Sequence, residues 1–274
     1  MVEYNAPIRD YEFLFNEMFD ALPIVQNLGY DFDSDFLSML TEGWAEHAKE
    51  VWLPINQLGD RVGLKFDDGN IFMPEEFKSA YNESIEGGWL STACKTEHGG
   101  MEVPLFFQTV TWAEIGTSTN MAMSVLPALT LGVYDVLVEH GERELIDYFA
   151  SKLASGKWAG TMCLTEPHAG TDLGIISTKA VPQDDGSYRV TGTKIFITYG
   201  EHDMSENIVH LVLAKTPGAP EGTKGISLFL VPKYLPSEWE SGGFEGLSHE
   251  ISSNHNGVTC SGSEEKMGIH ASPT

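Results

Sequence analysis

The groups best placed to do chemistry fall in two stretches, Trp158-Ala-Gly-Thr-Met-Cys-Leu-Thr-Glu-Pro-His-Ala-Gly-Thr-Asp172 and Lys194-Ile-Phe-Ile-Thr-Tyr-Gly200. In the first, an apolar run breaks at Thr165-Glu166-Pro167 into the turn Ala169-Gly170-Thr171-Asp172. A Gly-bearing turn of this kind presents backbone N–H groups and a hydroxyl to an anion. The second stretch closes on Phe196-Ile197-Thr198, which adds an aromatic face and another hydroxyl. Periodicity alone is also satisfied by ordinary strand ends finished with turn residues.

The elements that position these stretches change character at Gly156. After it come short β-rich runs at Lys157 to Leu164, Ser177 to Val181, Ser187 to Ile197, Ile208 to Ala214 and Ile226 to Val231, with an Asp-Gly hairpin turn at Asp184-Asp185-Gly186. Before it the pattern is helical. Asp10 to Leu22 reads as a short amphipathic helix that must dock on another element. From Ser34 to Trp52, Leu37, Leu40, Trp44, Ala48 and Val51 recur at spacings of three and four, and Pro54 is expected to end that helix. Pro74 with Glu75 and Glu76 opens a helix to about Ile85. Helices are expected at Leu105 to Gly116, Ala122 to His140 and Glu142 to Leu153, with Gly141 and Gly156 in capping positions. Helices followed by strands, without βα alternation, exclude a Rossmann-type fold. The expectation is α+β: an all-α bundle over residues 34–156 after an extension at 1–33, then an antiparallel β-barrel or sandwich-like domain over 157–274.

The 274 residues are 42% apolar, enough for a substantial core, and carry a net charge of −24 from forty acidic and sixteen basic side chains. That balance excludes a nucleic-acid surface, which relies on Lys and Arg. No apolar run reaches the roughly 20 residues that span a bilayer, and Met1-Val-Glu-Tyr-Asn-Ala-Pro7 lacks the layout of a signal peptide, so the expected location is cytoplasmic. Cys94, Cys163 and Cys260 are widely spaced and read as reduced thiols. His255 and His270 are too far apart and unaccompanied to be metal ligands. His98, in the loop Glu97-His98-Gly99-Gly100, reads as structural.

Met162-Cys-Leu-Thr-Glu-Pro-His-Ala-Gly-Thr-Asp172 resembles the signature of the acyl-CoA dehydrogenase flavoproteins, and Lys194-Ile-Phe-Ile-Thr198 resembles that family's second flavin-contacting strand. The Gly99-Gly100 loop followed by Pro104 also resembles the family, its glycines serving close packing. The leading segment and Gly225-Ile-Ser-Leu-Phe-Leu-Val-Pro-Lys233 are similar to the larger bacterial 3-methylmercaptopropionyl-CoA dehydrogenase-like branch. The resemblance implies FAD as cofactor and α,β-dehydrogenation of an acyl-CoA thioester. It implies an electron-transfer flavoprotein as acceptor and a homo-oligomer as the full-length assembly.

Carried over by position, Met162, Leu164 and Thr165 would line the flavin ring and its pyrimidine edge. Gly170 and Thr171 would meet the pyrophosphate, Phe196 would cover the ring, and Thr198 would place its hydroxyl near N5. His168 stands where relatives often have Gly. Glu166 has a structural role in the family. The family's catalytic glutamate comes from a C-terminal helical domain to which no part of this chain corresponds, so no catalytic residue is assigned and the chain alone is expected to be inactive. Alternatives are a non-catalytic binding or assembly module of the same fold, or an acyl-CoA oxidase.

Overall fold

The computed structural model describes residues 3–236 and 251–274. The Gly-, Ser- and Glu-rich stretch that follows Pro232 in the sequence falls partly outside them.

The N-terminal segment forms α1 (Ile8–Glu12), a π-helical turn (Phe13–Met18) and α2 (Ala21–Asn27). It docks through buried Tyr11, whose hydroxyl hydrogen-bonds Glu114, and through Phe15, packed on Phe106 and Phe107. Phe13, Met18 and Phe19 stay exposed.

α3 (Ser34–His47) starts on Asp33, whose carboxylate accepts the Phe36 N–H at 2.7 Å. Pro54 does not end the run as expected. A π-helical turn over Ala48–Trp52 leads directly into α4 (Leu53–Val62), with Pro54 in its first turn. A proline there needs no intrahelical N–H bond, so the chain continues. The hairpin β1 (Lys65–Asp67) and β2 (Asn70–Phe72) follows, turning on Asp68 and Gly69, both with positive φ. Next comes α5 (Glu75–Glu86).

α6 (Leu105–Gln108), a π-helical turn (Thr109–Ala113) and α7 (Glu114–His140) form one continuous helical run. Asn120 breaks its geometry at φ −156°, and its side chain then caps the second half by accepting the Met123 N–H at 3.0 Å. Leu105–His140 is 36 residues long and its most apolar 18 residues have mean hydropathy 1.7, so among the described residues one helix is, by length and composition only, long and apolar enough to cross a membrane. Thr117 and Thr119, which interrupt the apolar pattern, donate to the carbonyls of Ala113 and Ile115 at 2.6 and 2.8 Å and so stay helical. In the fold this run is the central helix, burying Ile115, Met123, Leu126, Val133 and Leu137. α8 (Arg143–Ala154) ends at Gly156, whose φ of +75° suits glycine.

The strands are β3 (Trp158–Cys163), β4 (Lys179–Pro182), β5 (Tyr188–Thr191), β6 (Asn207–Lys215), β7 (Ile226–Pro232), β8 (Tyr234–Pro236) and β9 (Ile251–His255). β4/β5 and β6/β7 are antiparallel pairs, as expected. β3, however, runs parallel to β6, with Trp158 opposite Asn207 and Cys163 opposite Val212. The long connection between them returns the chain in the same direction. The described strands form a five-stranded mixed sheet and two small two-stranded ones, not a closed barrel.

β3 lies directly on α7. A Cβ on Gly160 would meet Val133 Cβ at 2.6 Å, and the Gly160 N–H donates to Thr130 Oγ1 at 3.0 Å. The core crosses from helices to strands here, since Trp44, Trp52, Phe77 and Met123 share a cluster with Ala159, Tyr199 and Ile208.

Candidate functional site

β3 carries the first motif and sorts its side chains by alternation. Trp158 and Met162 pack with α7 residues Val133 and Leu137, whereas Thr161 and Cys163 meet His210 of β6, at 2.7 and 3.7 Å from its Nδ1. The chain then turns back on itself. Glu166 and Ala169 exchange both backbone hydrogen bonds, at 2.9 and 3.0 Å. His168 has a negative φ in this turn and lies exposed at 3.2 Å from the Ile175 carbonyl, so the turn does not need the glycine that relatives often carry.

Glu166 is the keystone of that turn. Its side chain is 1% exposed. Oε2 accepts the Ser177 N–H and hydroxyl, each at 2.7 Å; Oε1 accepts the Thr178 N–H at 3.0 Å, its hydroxyl at 2.5 Å and Lys194 Nζ at 3.0 Å. Burial alone would push its pKa up, but the donors from Thr178, Ser177 and Lys194 outweigh it and hold the carboxyl far below its ordinary range. A carboxylate so engaged is a clamp, as the resemblance implied, rather than a base.

The second motif is not a strand. β5 ends at Thr191, and Lys194 to Thr198 runs on without ladder pairing, contrary to the expected strand to Ile197. The backbone accounts for this: Phe196 and Tyr199 both sit in the left-handed region, at φ 60° and 54°, where a bulky residue breaks the pleat. Individual contacts replace the ladder. The Ile195 N–H donates to the Thr165 carbonyl at 2.9 Å and Lys194 Nζ to the Leu164 carbonyl at 3.1 Å, stitching the two motifs together. Tyr199, fully buried, donates its hydroxyl to the Ala122 carbonyl at 2.6 Å and its N–H to the Pro273 carbonyl at 2.6 Å.

Met162, Leu164 and Thr165 are half-buried at the end of β3, and Gly170 and Thr171 are exposed on the turn. Phe196 is 59% exposed on its strained backbone. The Thr198 hydroxyl accepts a hydrogen bond from Lys266 Nζ at 3.1 Å. Among the described residues, the Gly170 and Thr171 N–H groups and the Thr165 and Thr171 hydroxyls have no hydrogen-bond partner. Free donors on a Gly-bearing turn, beside an exposed aromatic ring, fit a ligand with an anionic part and a planar part. A FAD molecule has both.

A cavity of about 610 Å³ lies behind this surface, walled by Cys163, Ile195, Glu201, His210 and Cys260. Of the seven expected cofactor residues, Phe196 alone lines it. Burial lowers the pKa of His210 to about 4 and that of His202 to about 3, and raises Cys163 to about 11. Next to them Lys233 and Glu201 form a buried ion pair at 2.6 Å. No group of three or more metal-ligating side chains occurs among the described residues.

Sequence reading missed Tyr199, Pro273 and Lys266, which hold the second motif. Their contacts run to Ala122 and between residues far apart in the chain, and no local period announces them. His98, read as structural, bonds the Tyr134 hydroxyl through Nδ1 at 2.8 Å, and Gly100 packs so that a Cβ would meet the Cys94 carbonyl at 2.0 Å.

Residues 161–274 match the acyl-CoA dehydrogenase middle domain. Over 99% of its length the chain is 42% identical to 44% of 3-methylmercaptopropionyl-CoA dehydrogenase of Ruegeria pomeroyi. It is 36% identical, over 99% of its length, to 43% of a butyryl-CoA dehydrogenase of Syntrophomonas wolfei. Thus the chain spans under half the length of these curated relatives. Its fold is that of butyryl-CoA dehydrogenase from Megasphaera elsdenii, at TM-score 0.63 and 20% identity over 89% of this chain and 56% of that one. A glutaryl-CoA dehydrogenase in complex with glutaryl-CoA aligns at TM-score 0.65 and 22% identity, over 89% and 54% of the two chains.

Proposed function

Because the chain belongs to the acyl-CoA dehydrogenase family, we propose that residues 158–200 form its FAD cradle and that the protein takes part in the α,β-dehydrogenation of an acyl-CoA thioester. The observation that carries this reading is the stitching of the two motifs through Ile195 and Lys194, which sets unpartnered donors beside an exposed aromatic ring.

The Gly170 and Thr171 N–H groups and the Thr171 hydroxyl would hold the pyrophosphate. Met162, Leu164 and Thr165 would line the ring and its pyrimidine edge, Phe196 would cover it, and Thr198 would offer its hydroxyl near N5. Bound FAD would supply the acceptor for the hydride leaving Cβ. The net charge of −24 repels such an anion at long range, so backbone donors must do the binding.

Removing the α-proton needs a carboxylate base. Glu166 is not proposed for it, since all its hydrogen bonds lie within the clamp. We place the base outside the cradle, on a C-terminal helical domain, so that residues 1–274 alone would lack activity. The same reading assigns an extension at 1–33, a helical domain at 34–156 and a β domain at 157–274. It makes an electron-transfer flavoprotein the electron acceptor, the cytoplasm the location and a homo-oligomer the assembly.

The test is to express the protein from its complete reading frame, titrate it with FAD and then add acyl-CoA. A shifted flavin spectrum that bleaches on acyl-CoA is expected, with Thr198→Val slowing the bleaching. Bleaching at the same rate in Thr198→Val counts against that residue's role, and no uptake of FAD overturns the reading. Uptake without bleaching would mark a binding module, and acyl-CoA-dependent peroxide an oxidase.

A further inference from the structure

We propose that Lys266 is the positioning residue of the Thr198 hydroxyl, directing its proton toward the flavin and thereby raising the flavin's affinity for electrons. This rests on the FAD reading above.

The bond between the two side chains has only one possible sense. An ammonium donates and never accepts, so in the 3.1 Å contact Thr198 Oγ1 must be the acceptor. The hydroxyl's own proton then points elsewhere, and no acceptor for it exists among the described residues. Thr198 is thus left with a free donor on the segment that carries the exposed Phe196.

Lys266, like half-buried Lys215, whose Nζ donates to the Gly174 carbonyl at 2.6 Å, differs from three other lysines held against the fold. Lys194 is paired with Glu166, Lys233 with Glu201 and Lys78 with Asp203. Half-buried Lys266 makes no ion pair among the described residues, although its sequence neighbours Glu264 and Glu265 are acidic and exposed. With no carboxylate competing for the ammonium, its bond to the hydroxyl is charge-assisted and polarises the O–H beyond what a neutral donor would achieve.

Backbone pairing fixes the geometry. The Tyr199 N–H bonds to the Pro273 carbonyl at 2.6 Å, next in sequence to Thr198. The Glu264 N–H bonds to the Thr274 carbonyl at 2.8 Å, and Ala271 is fully buried in the core. The closing segment is therefore anchored on both sides of Lys266.

The test uses the protein expressed from its complete reading frame and loaded with FAD, with the bound flavin equilibrated against a reference dye. Lys266→Met is expected to make the flavin about tenfold harder to reduce, a shift of about 30 mV for a two-electron couple. Lys266→Arg should restore the wild-type value to within about twofold, because a charged donor returns. In a Thr198→Val background, Lys266→Met should add less than about twofold if it acts through the hydroxyl. Should the Met variant fail to fold, Lys266→Gln carries the test with an expected loss of about threefold. Reduction unchanged in the folded Met or Gln variant, or the full effect persisting without the Thr198 hydroxyl, overturns the inference alone. A wild-type protein that takes up no FAD overturns the flavin reading with it.

Discussion

Lys194 Nζ lies 3.0 Å from Glu166 Oε1, and the two side chains are 9% and 1% exposed, so the ion pair that joins the two motifs is shielded from water. Removing one partner of such a pair strands the other. Glu166→Gln is expected to destabilise the protein by about 3–5 kcal/mol, read as a lowered denaturant midpoint at unchanged slope. Lys194→Met should be comparable, and the double variant should cost less than the sum. Additive losses would show that the pair does not act as a unit.

Two glycines with opposite surroundings separate folding from binding. A Cβ on Gly100 would lie 2.0 Å from the Cys94 carbonyl oxygen and 2.6 Å from that of Ser91, both backbone. Gly100→Ala should therefore cost several kcal/mol, about 3 or more. On Gly170 the nearest atom would be Thr165 Cγ2 at 3.8 Å. Gly170→Ala is expected to leave the melting temperature unchanged, within about 0.5 kcal/mol, while weakening FAD binding. Equal FAD affinity in calorimetry would remove Gly170 from the cradle.

The left-handed backbone at Phe196 is a strained position held by its surroundings. Asparagine tolerates that region far better than phenylalanine. Phe196→Asn is expected to raise stability by about 0.5–1 kcal/mol and to lower FAD affinity as the aromatic face is lost. A variant destabilised in thermal unfolding would mean that the ring itself holds the fold.

His202 makes stability depend on acid. Its Nδ1 accepts the Met204 N–H at 3.1 Å, so the ring is neutral, and burial lowers its pKa from 6.5 to about 3. The unfolded chain takes up the proton first as pH falls, so this contribution is complete above about 6.5 and is lost between there and about 3. It amounts to about 3–5 kcal/mol at neutral pH relative to pH 3. His202→Gln should flatten the pH dependence of unfolding across that window. An unchanged slope would assign the acid sensitivity to other groups, His210 among them.

Much of this molecule is local and was therefore legible in the sequence. The helices over 34–52, 75–86 and 143–154 follow apolar spacing and cap chemistry, and the β4/β5 hairpin follows its Asp-Gly turn, because these depend on residues a few positions apart. The motif wording led to the family and to Glu166 as a structural residue. Tertiary structure alone decided three things. It carried the helix past Pro54 through a π-helical turn, and it set β3 parallel to β6 on the far side of a hairpin. It also replaced the expected strand at Lys194 to Ile197 with a left-handed segment held by Thr165, Ala122, Pro273 and Lys266. The last two rest on partners tens of residues away, and Trp52 in the π-helical turn is itself held by Ser84 and Asn120; such contacts outweigh local preference and leave no period in the sequence to read.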